Sequence, residues 1–164
     1  MSPLEELFCE SCRKIGVELN QAQLKQFMTY KDMLIVWNEK MNLTAITDDR
    51  EIILKHFVDC LALCSGADMS GKKIIDVGTG AGFPGVPVKI ACPDIDITLL
   101  DSLNKRITFL NELTKALGLE KTDCVHMRAE DGGNDKGLRE SFDMCISRAV
   151  ANLAVLCEYC LPFV

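Results

Sequence analysis

Ile74-Ile75-Asp76-Val77-Gly78-Thr79-Gly80-Ala81-Gly82-Phe83-Pro84-Gly85 runs from a short apolar stretch through three closely spaced glycines into a segment opened by proline. An apolar run of this length, bounded by glycine, predicts a strand buried on both faces. Pro84 and Pro87 suit the first turn of a following helix, whose N–H groups have no intrahelical partner. Glycine in the bend permits positive φ and removes the Cβ, so a ligand can approach bare backbone while helix N–H groups point towards it. By itself such a turn is also met as a packing feature, so the neighbouring segments decide its meaning.

Downstream, apolar runs alternate with helical periodicity and predict strands near 74–77, 95–100, 124–127 and 143–147. Ile107, Leu110, Leu113 and Leu117 share one side of the helix after the second strand, which stops at Gly118. Gly132 to Gly137 predicts a mobile loop between the third and fourth strands. Upstream, Leu24, Phe27, Met28, Lys31, Leu34, Ile35, Asn38 and Met41 follow one helical stripe, and Asp48 with Glu51 resembles a capping box ahead of another helix. The expected fold is α/β, a Rossmann-like parallel sheet, with residues 1–70 as a helical cap and 71–164 as the core. The chain ends at Val164 without the further strands such a sheet usually carries, so the carboxyl-terminal part of the core is expected to be missing.

Asp101 closes the second strand about twenty residues beyond the turn, where a carboxylate accepts both ribose hydroxyls of an adenosine. The same residue could instead cap the helix that begins beside it, as could Ser102. Nicotinamide dinucleotides and S-adenosylmethionine both fit a strand, glycine turn and distal acid. Asp76 separates them: an acid just before the glycines repels a pyrophosphate but favours a sulfonium and an ammonium group. A class I S-adenosylmethionine-dependent methyltransferase fold is therefore expected, with Gly78, Gly80, Gly82 and Asp101 at the cofactor. A nicotinamide oxidoreductase is the weaker reading, since no well-placed Tyr/Lys pair for hydride transfer is evident.

A length of 164 residues, 48% of them hydrophobic and 26% charged, suits one sizeable core. No apolar segment approaches the ~20 residues of a membrane-spanning helix, and no leader pattern opens the chain, so a cytoplasmic protein is expected. Nine cysteines cannot all pair within one molecule, which favours reduced thiols. Cys9/Cys12 and Cys157/Cys160 have the spacing of zinc ligands but lie in helical stretches without turn glycines, so no metal is expected. A formal charge of −6 weighs against broad nucleic-acid binding, and any RNA partner would need a local basic face.

Beyond these features, the chain resembles the 16S rRNA guanine-N7 methyltransferases, also called the glucose-inhibited division protein B family. The resemblance rests on Trp37-Asn38, Asn42-Leu43-Thr44-Ala45-Ile46, Lys55-His56-Phe57-Val58-Asp59-Cys60, Asp76 to Gly85, Leu100 to Arg106 and Ser147-Arg148-Ala149. Lys55 and Cys60 depart conservatively from the family's R-H-x-x-D-S. Together these segments cover about residues 37 to 150, and their joint order is more specific than the turn alone.

The resemblance implies methyl transfer to guanine N7 in 16S rRNA, as free RNA or in the small ribosomal subunit; a monomer without a stable protein partner is expected. The resemblance also implies that Gly78 and Phe83 flank the donor, that Ala129 and Glu130 contact its adenine side, and that Arg148 borders donor and guanine. Guanine N7 has an in-plane lone pair and no proton, so no catalytic base is expected, and Arg148 is the candidate for positioning; an ion pair at a strand end is its other reading. His56 predicts an interhelical hydrogen bond rather than acid–base work, His126 no functional role, and Lys105 and Arg106 either RNA phosphate contacts or a solvated helix start. A methyltransferase with another acceptor and a non-catalytic RNA-binding factor are the competing functions.

Overall fold

The computed structural model describes residues 1–164. Helix α1 (Pro3–Lys14) begins at Ser2 and α2 (Gln21–Met41) at Asn20, each through a reciprocal capping box, with Glu5 and Gln23 as the returning partners. The expected stripe on α2 buries Leu24, Phe27, Lys31 and Leu34, and it also buries Tyr30, which the stripe omits. α2 ends where Asn42 turns left-handed at φ 49°, a conformation asparagine tolerates.

Asp48 then accepts from the Glu51 N–H at 3.0 Å to start the next helical run. Only this half of the box forms, because the Glu51 carboxylate pairs with Lys55 at 2.6 Å. The run comprises α3 (Asp49–Glu51), a π-helical stretch (Ile52–Val58) and α4 (Asp59–Gly66).

Strands β1 (Lys73–Val77), β2 (Asp96–Asp101), β3 (Thr122–His126) and β4 (Met144–Ile146) form one parallel sheet in the order β3-β2-β1-β4. Ile74 stands opposite Ile97 on one side and Met144 on the other, and Leu99 opposite Cys124. The strands lie within two residues of their expected positions. Helices α5 (Gly85–Ala91), α6 (Asn104–Leu117), α7 (Ala129–Gly132) and α8 (Leu153–Cys160) follow them in turn, and a 3-10 turn spans Leu161–Phe163. This is the expected α/β architecture. The strand order reverses between β1 and β4, which places a ligand crevice beyond their carboxyl ends.

One sheet face carries the larger core, in which Phe8, Phe27 and Phe57 of the amino-terminal helices join Ile74, Ile97, Leu99 and Leu110. The three rings lie 4.9 to 5.9 Å apart, a separation at which aromatic pairs add to simple burial. The other face is smaller and joins Ile75, Val77 and Leu100 to Phe142 and Phe163.

The loop expected at Gly132–Gly137 differs at its start. Gly132 closes α7 and is buried, and a Cβ there would stand 3.0 Å from the Phe163 ring, so the absent side chain makes room for the second core. All nine cysteines are free, with both C-x-x-C pairs on helices, and no group of three or more His, Cys, Asp or Glu is placed to hold a metal. No helix is long and apolar enough to cross a membrane.

Candidate functional site

At the carboxyl ends of β1, β2 and β3 lies a cavity of about 380 Å³, within the usual range for small-molecule sites. Val77 and Gly78 form one side, Leu100, Asp101 and Ser102 the next, and Met127 to Glu130 the third. Ala149, Val150 and Tyr159 close it from the segment after β4.

The glycine turn is hooked to β2, because the N–H groups of Gly78 and Thr79 both donate to the Leu100 carbonyl, at 2.8 and 3.1 Å. The Gly80 N–H donates to Asp101 Oδ2 at 2.9 Å. Turn and carboxylate are thus one unit, and the space where a Gly80 Cβ would project is open.

Asp101 is 2% exposed, so its charge must be met by donors. Oδ1 accepts from the Leu103 N–H at 2.9 Å, and Oδ2 from Gly80 and from Arg106 Nη1 at 3.3 Å. The two alternatives posed by the sequence therefore coexist, since the carboxylate orders the start of α6 and also faces the cavity. Two carboxylate oxygens offer about four acceptor positions, which leaves room for one ribose hydroxyl, and the long 3.3 Å contact to the partly exposed Arg106 is the one a second hydroxyl would compete with. An adenosine-bearing donor fits this set. Arg106, expected at phosphate or in solvent, lines the cavity with Arg128.

Asp76 does not line the cavity. It is fully buried, and its Oδ2 accepts from the Gly85 N–H at 2.8 Å at the start of α5. Burial pushes its carboxyl up to about 7, against the lowering pull of the nearby Thr79 hydroxyl, the Gly85 N–H and Arg148. Neither Asp76 Oδ1 nor Thr79 Oγ1 has a partner in hydrogen-bonding geometry. The acid of the turn orders α5 from within the protein, and the electrostatic argument that aimed it at a cationic donor does not hold for this geometry.

Gly82 and Phe83 face the helical layer. A Gly82 Cβ would stand 2.8 Å from both Tyr30 Oη and Val86 Cγ2. The Phe83 ring stacks against Tyr30 at 5.4 Å and His56 at 4.5 Å, with the Arg148 guanidinium 5.0 Å above it.

Arg148 follows β4, whose end is tied to β1 by the Ser147 hydroxyl donating to the Val77 carbonyl at 2.7 Å. Its Nη1 donates to Asp59 Oδ2 at 2.9 Å and to the Lys55 carbonyl at 3.3 Å, and its Nη2 to His56 Nδ1 at 3.0 Å. Arg148 stands just outside the cavity wall, while its neighbours Ala149 and Val150 belong to that wall. His126 Nε2 lies 3.0 Å from the Ser102 carbonyl, and Lys105 reaches the Met41 carbonyl.

The structure thus places Gly78, Asp101, Ala129 and Glu130 on the cavity, Gly80 behind Asp101, and Gly82, Phe83 and Arg148 around an adjoining cluster. Sequence reasoning missed Tyr30, Val150 and Tyr159. Tyr30 falls on the same helical face as Phe27 and Leu34, a usable signal; Val150, in the loop after β4, and Tyr159, on α8, reach the cavity only through the way the chain packs and have none.

Comparisons with known proteins agree with this architecture. A Pyrococcus horikoshii protein described as a candidate RNA methyltransferase has a solved structure that superposes with a TM-score of 0.51 at 13% identity, covering 82% of this chain and 70% of that one, which speaks for the fold. Ribosomal RNA small subunit methyltransferase G of Clostridium perfringens strain 13 is 53% identical over 160 residues, 97% of this chain and 67% of that protein. The protein of the same name from Acetivibrio thermocellus is 53% identical over 161 residues, 98% of this chain and 66% of the relative. The chain accordingly spans about two thirds of the length of such relatives. Residues 23–164, from α2 through the sheet to the last residue, match the family described as rRNA small subunit methyltransferase G, and the chain belongs to that family.

Proposed function

We propose that the chain transfers a methyl group from S-adenosylmethionine to N7 of a guanine in 16S rRNA, either free or in the small ribosomal subunit. Membership of an S-adenosylmethionine-dependent rRNA methyltransferase family supports the reaction class. The observation that carries the site assignment is the hydrogen bond from Gly80 to Asp101, which joins the glycine turn to the ribose-binding acid at the cavity.

When bound, S-adenosylmethionine supplies an electrophilic methyl group on a sulfonium. Asp101 accepts the ribose hydroxyls, Gly78 keeps the backbone side of the cavity free of a Cβ, and Ala129 and Glu130 border the adenine. Gly80 and Gly82 hold the turn that presents these groups, and Phe83 forms the floor on which Arg148 rests. Arg148 positions the guanine or its phosphate. N7 needs no deprotonation, so the protein's contribution is alignment and electrostatics rather than a base. In this reading residues 1–70 act as a cap on the 71–164 core, and the protein works as a cytoplasmic monomer.

Calorimetric titration with S-adenosylmethionine and separately with NAD, repeated on Gly80→Asp, tests the assignment. Saturable binding of the methyl donor alone, abolished in the variant, is expected, together with methyl transfer to unmodified 16S rRNA. Binding of NAD instead sinks the reading, and donor binding without transfer replaces it with a non-catalytic RNA-binding role.

A further inference from the structure

Three separated segments meet at Arg148. α2 ends in a turn in which the Asn38 side chain accepts from the Thr44 N–H at 2.8 Å, and this aims Thr44 Oγ1 at His56 Nε2, 2.8 Å away. His56 sits in the π-helical stretch, a rare form that is frequent at functional sites. Arg148 arrives from β4.

The hydrogen bonds settle the state of the imidazole. Arginine only donates, so Nδ1 must accept from Nη2, and the ring proton lies on Nε2, directed at the Thr44 hydroxyl. Burial and the neighbouring guanidinium depress its pKa to about 4, against Asp59, so the ring is neutral near pH 7. The other faces of the ring meet Phe83 and its own helix, and Arg148 and Asp59 are the charged side chains acting on it.

A network at this depth adds little to stability. Asp59 is 60% exposed in its pair with Arg148, and exposed ion pairs contribute about 0–1 kcal/mol. The arrangement instead removes freedom from the guanidinium, leaving Nε–H and one Nη2–H without a protein partner.

We propose that His56 is a positioning residue for methyl transfer, in which the imidazole, oriented by Thr44, clamps Arg148 over Phe83 so that its free N–H groups meet the acceptor nucleotide. The inference rests on the function proposed above and extends it to residues that touch neither donor nor acceptor.

His56→Phe keeps a ring against Phe83 and removes both hydrogen bonds, whereas His56→Asn restores an acceptor for Arg148. Steady-state methylation of unmodified 16S rRNA by the parent chain and both variants is the test, with donor affinity measured alongside. A misplacement of about 1 Å can cost on the order of 100-fold in rate, so His56→Phe is expected to lose about 10- to 100-fold in kcat, with donor Kd and KM for RNA within about twofold of the parent, and His56→Asn to recover most of the loss. An active parent with an unchanged His56→Phe variant overturns this inference alone. A loss confined to KM, or one that follows thermal stability and is not recovered in His56→Asn, also overturns it. A parent that transfers no methyl group overturns the proposed function and this inference with it.

Discussion

Tyr30 Oη lies 2.8 Å from where a Cβ on Gly82 would stand, while its hydroxyl donates to the Ala81 carbonyl at 2.6 Å. The middle of α2 therefore reads the shape of the glycine turn directly, and a layer outside the sheet is coupled to the residues that face the cavity.

Gly82→Ala meets this contact at φ 100°, where L residues are strained, so overpacking and strain act together. The expected loss is about 3 kcal/mol of stability. At Gly80 the Cβ would enter open space at φ 63°, and Gly80→Ala should cost only about 1 kcal/mol, from backbone strain alone. Urea unfolding of the two variants checks the order.

Tyr30→Phe keeps the stack on Phe83 and leaves the Ala81 carbonyl without its buried donor. Stability should fall by about 1–2 kcal/mol. Donor affinity should stay within about twofold, since the ring stacked on Phe83 remains and Gly82 stays free of a Cβ. Denaturation and calorimetry on the same preparation separate the two quantities.

Asp101→Asn removes a charged acceptor and should weaken S-adenosylmethionine binding about 10- to 100-fold, as for hydrogen bonds to charged groups worth about 1.5–3 kcal/mol. Arg106→Ala should not weaken it, because losing the 3.3 Å contact to Oδ2 frees an acceptor position. Titration calorimetry decides; a large loss of affinity in Arg106→Ala would show that the guanidinium holds the donor instead of yielding to it.

Two titrations act in opposite directions on stability. The Asp76 carboxyl is raised from 3.8 to about 7; the folded protein keeps a proton there that the unfolded chain has released, so this group lowers stability as pH rises through that window. His56 is lowered from 6.5 to about 4, so its contribution is present above 6.5 and is lost as pH falls towards 4. Asp76→Asn should leave a stability that rises with pH between about 4 and 6.5, and His56→Phe one that falls over the same range. Chemical denaturation across pH 4 to 8 measures both slopes.

The strands, the glycine turn and the α6 stripe were legible because each is written locally, in apolar period and in turn chemistry. Asp101 was legible as a distance along the chain from the glycines, although its hydrogen bond to Gly80 was not. Asp76 pointed to the methyl donor, but its location was not legible: its place before the turn says nothing about which side of the strand its carboxylate occupies, and the fold turns it inward to the Gly85 N–H.

By itself the sequence determined the α/β class and the position of the glycine turn, which depend on residues near one another in the chain, and the likeness to a methyltransferase family, which depends on the order of short local segments. Only the tertiary structure decided that Gly82 faces Tyr30, that Val150 and Tyr159 close the cavity, and that His56 meets Arg148 across 92 positions. Periodicity says which face of an element is buried. It does not name what lies against that face, because the partner is chosen by how the helices and strands pack.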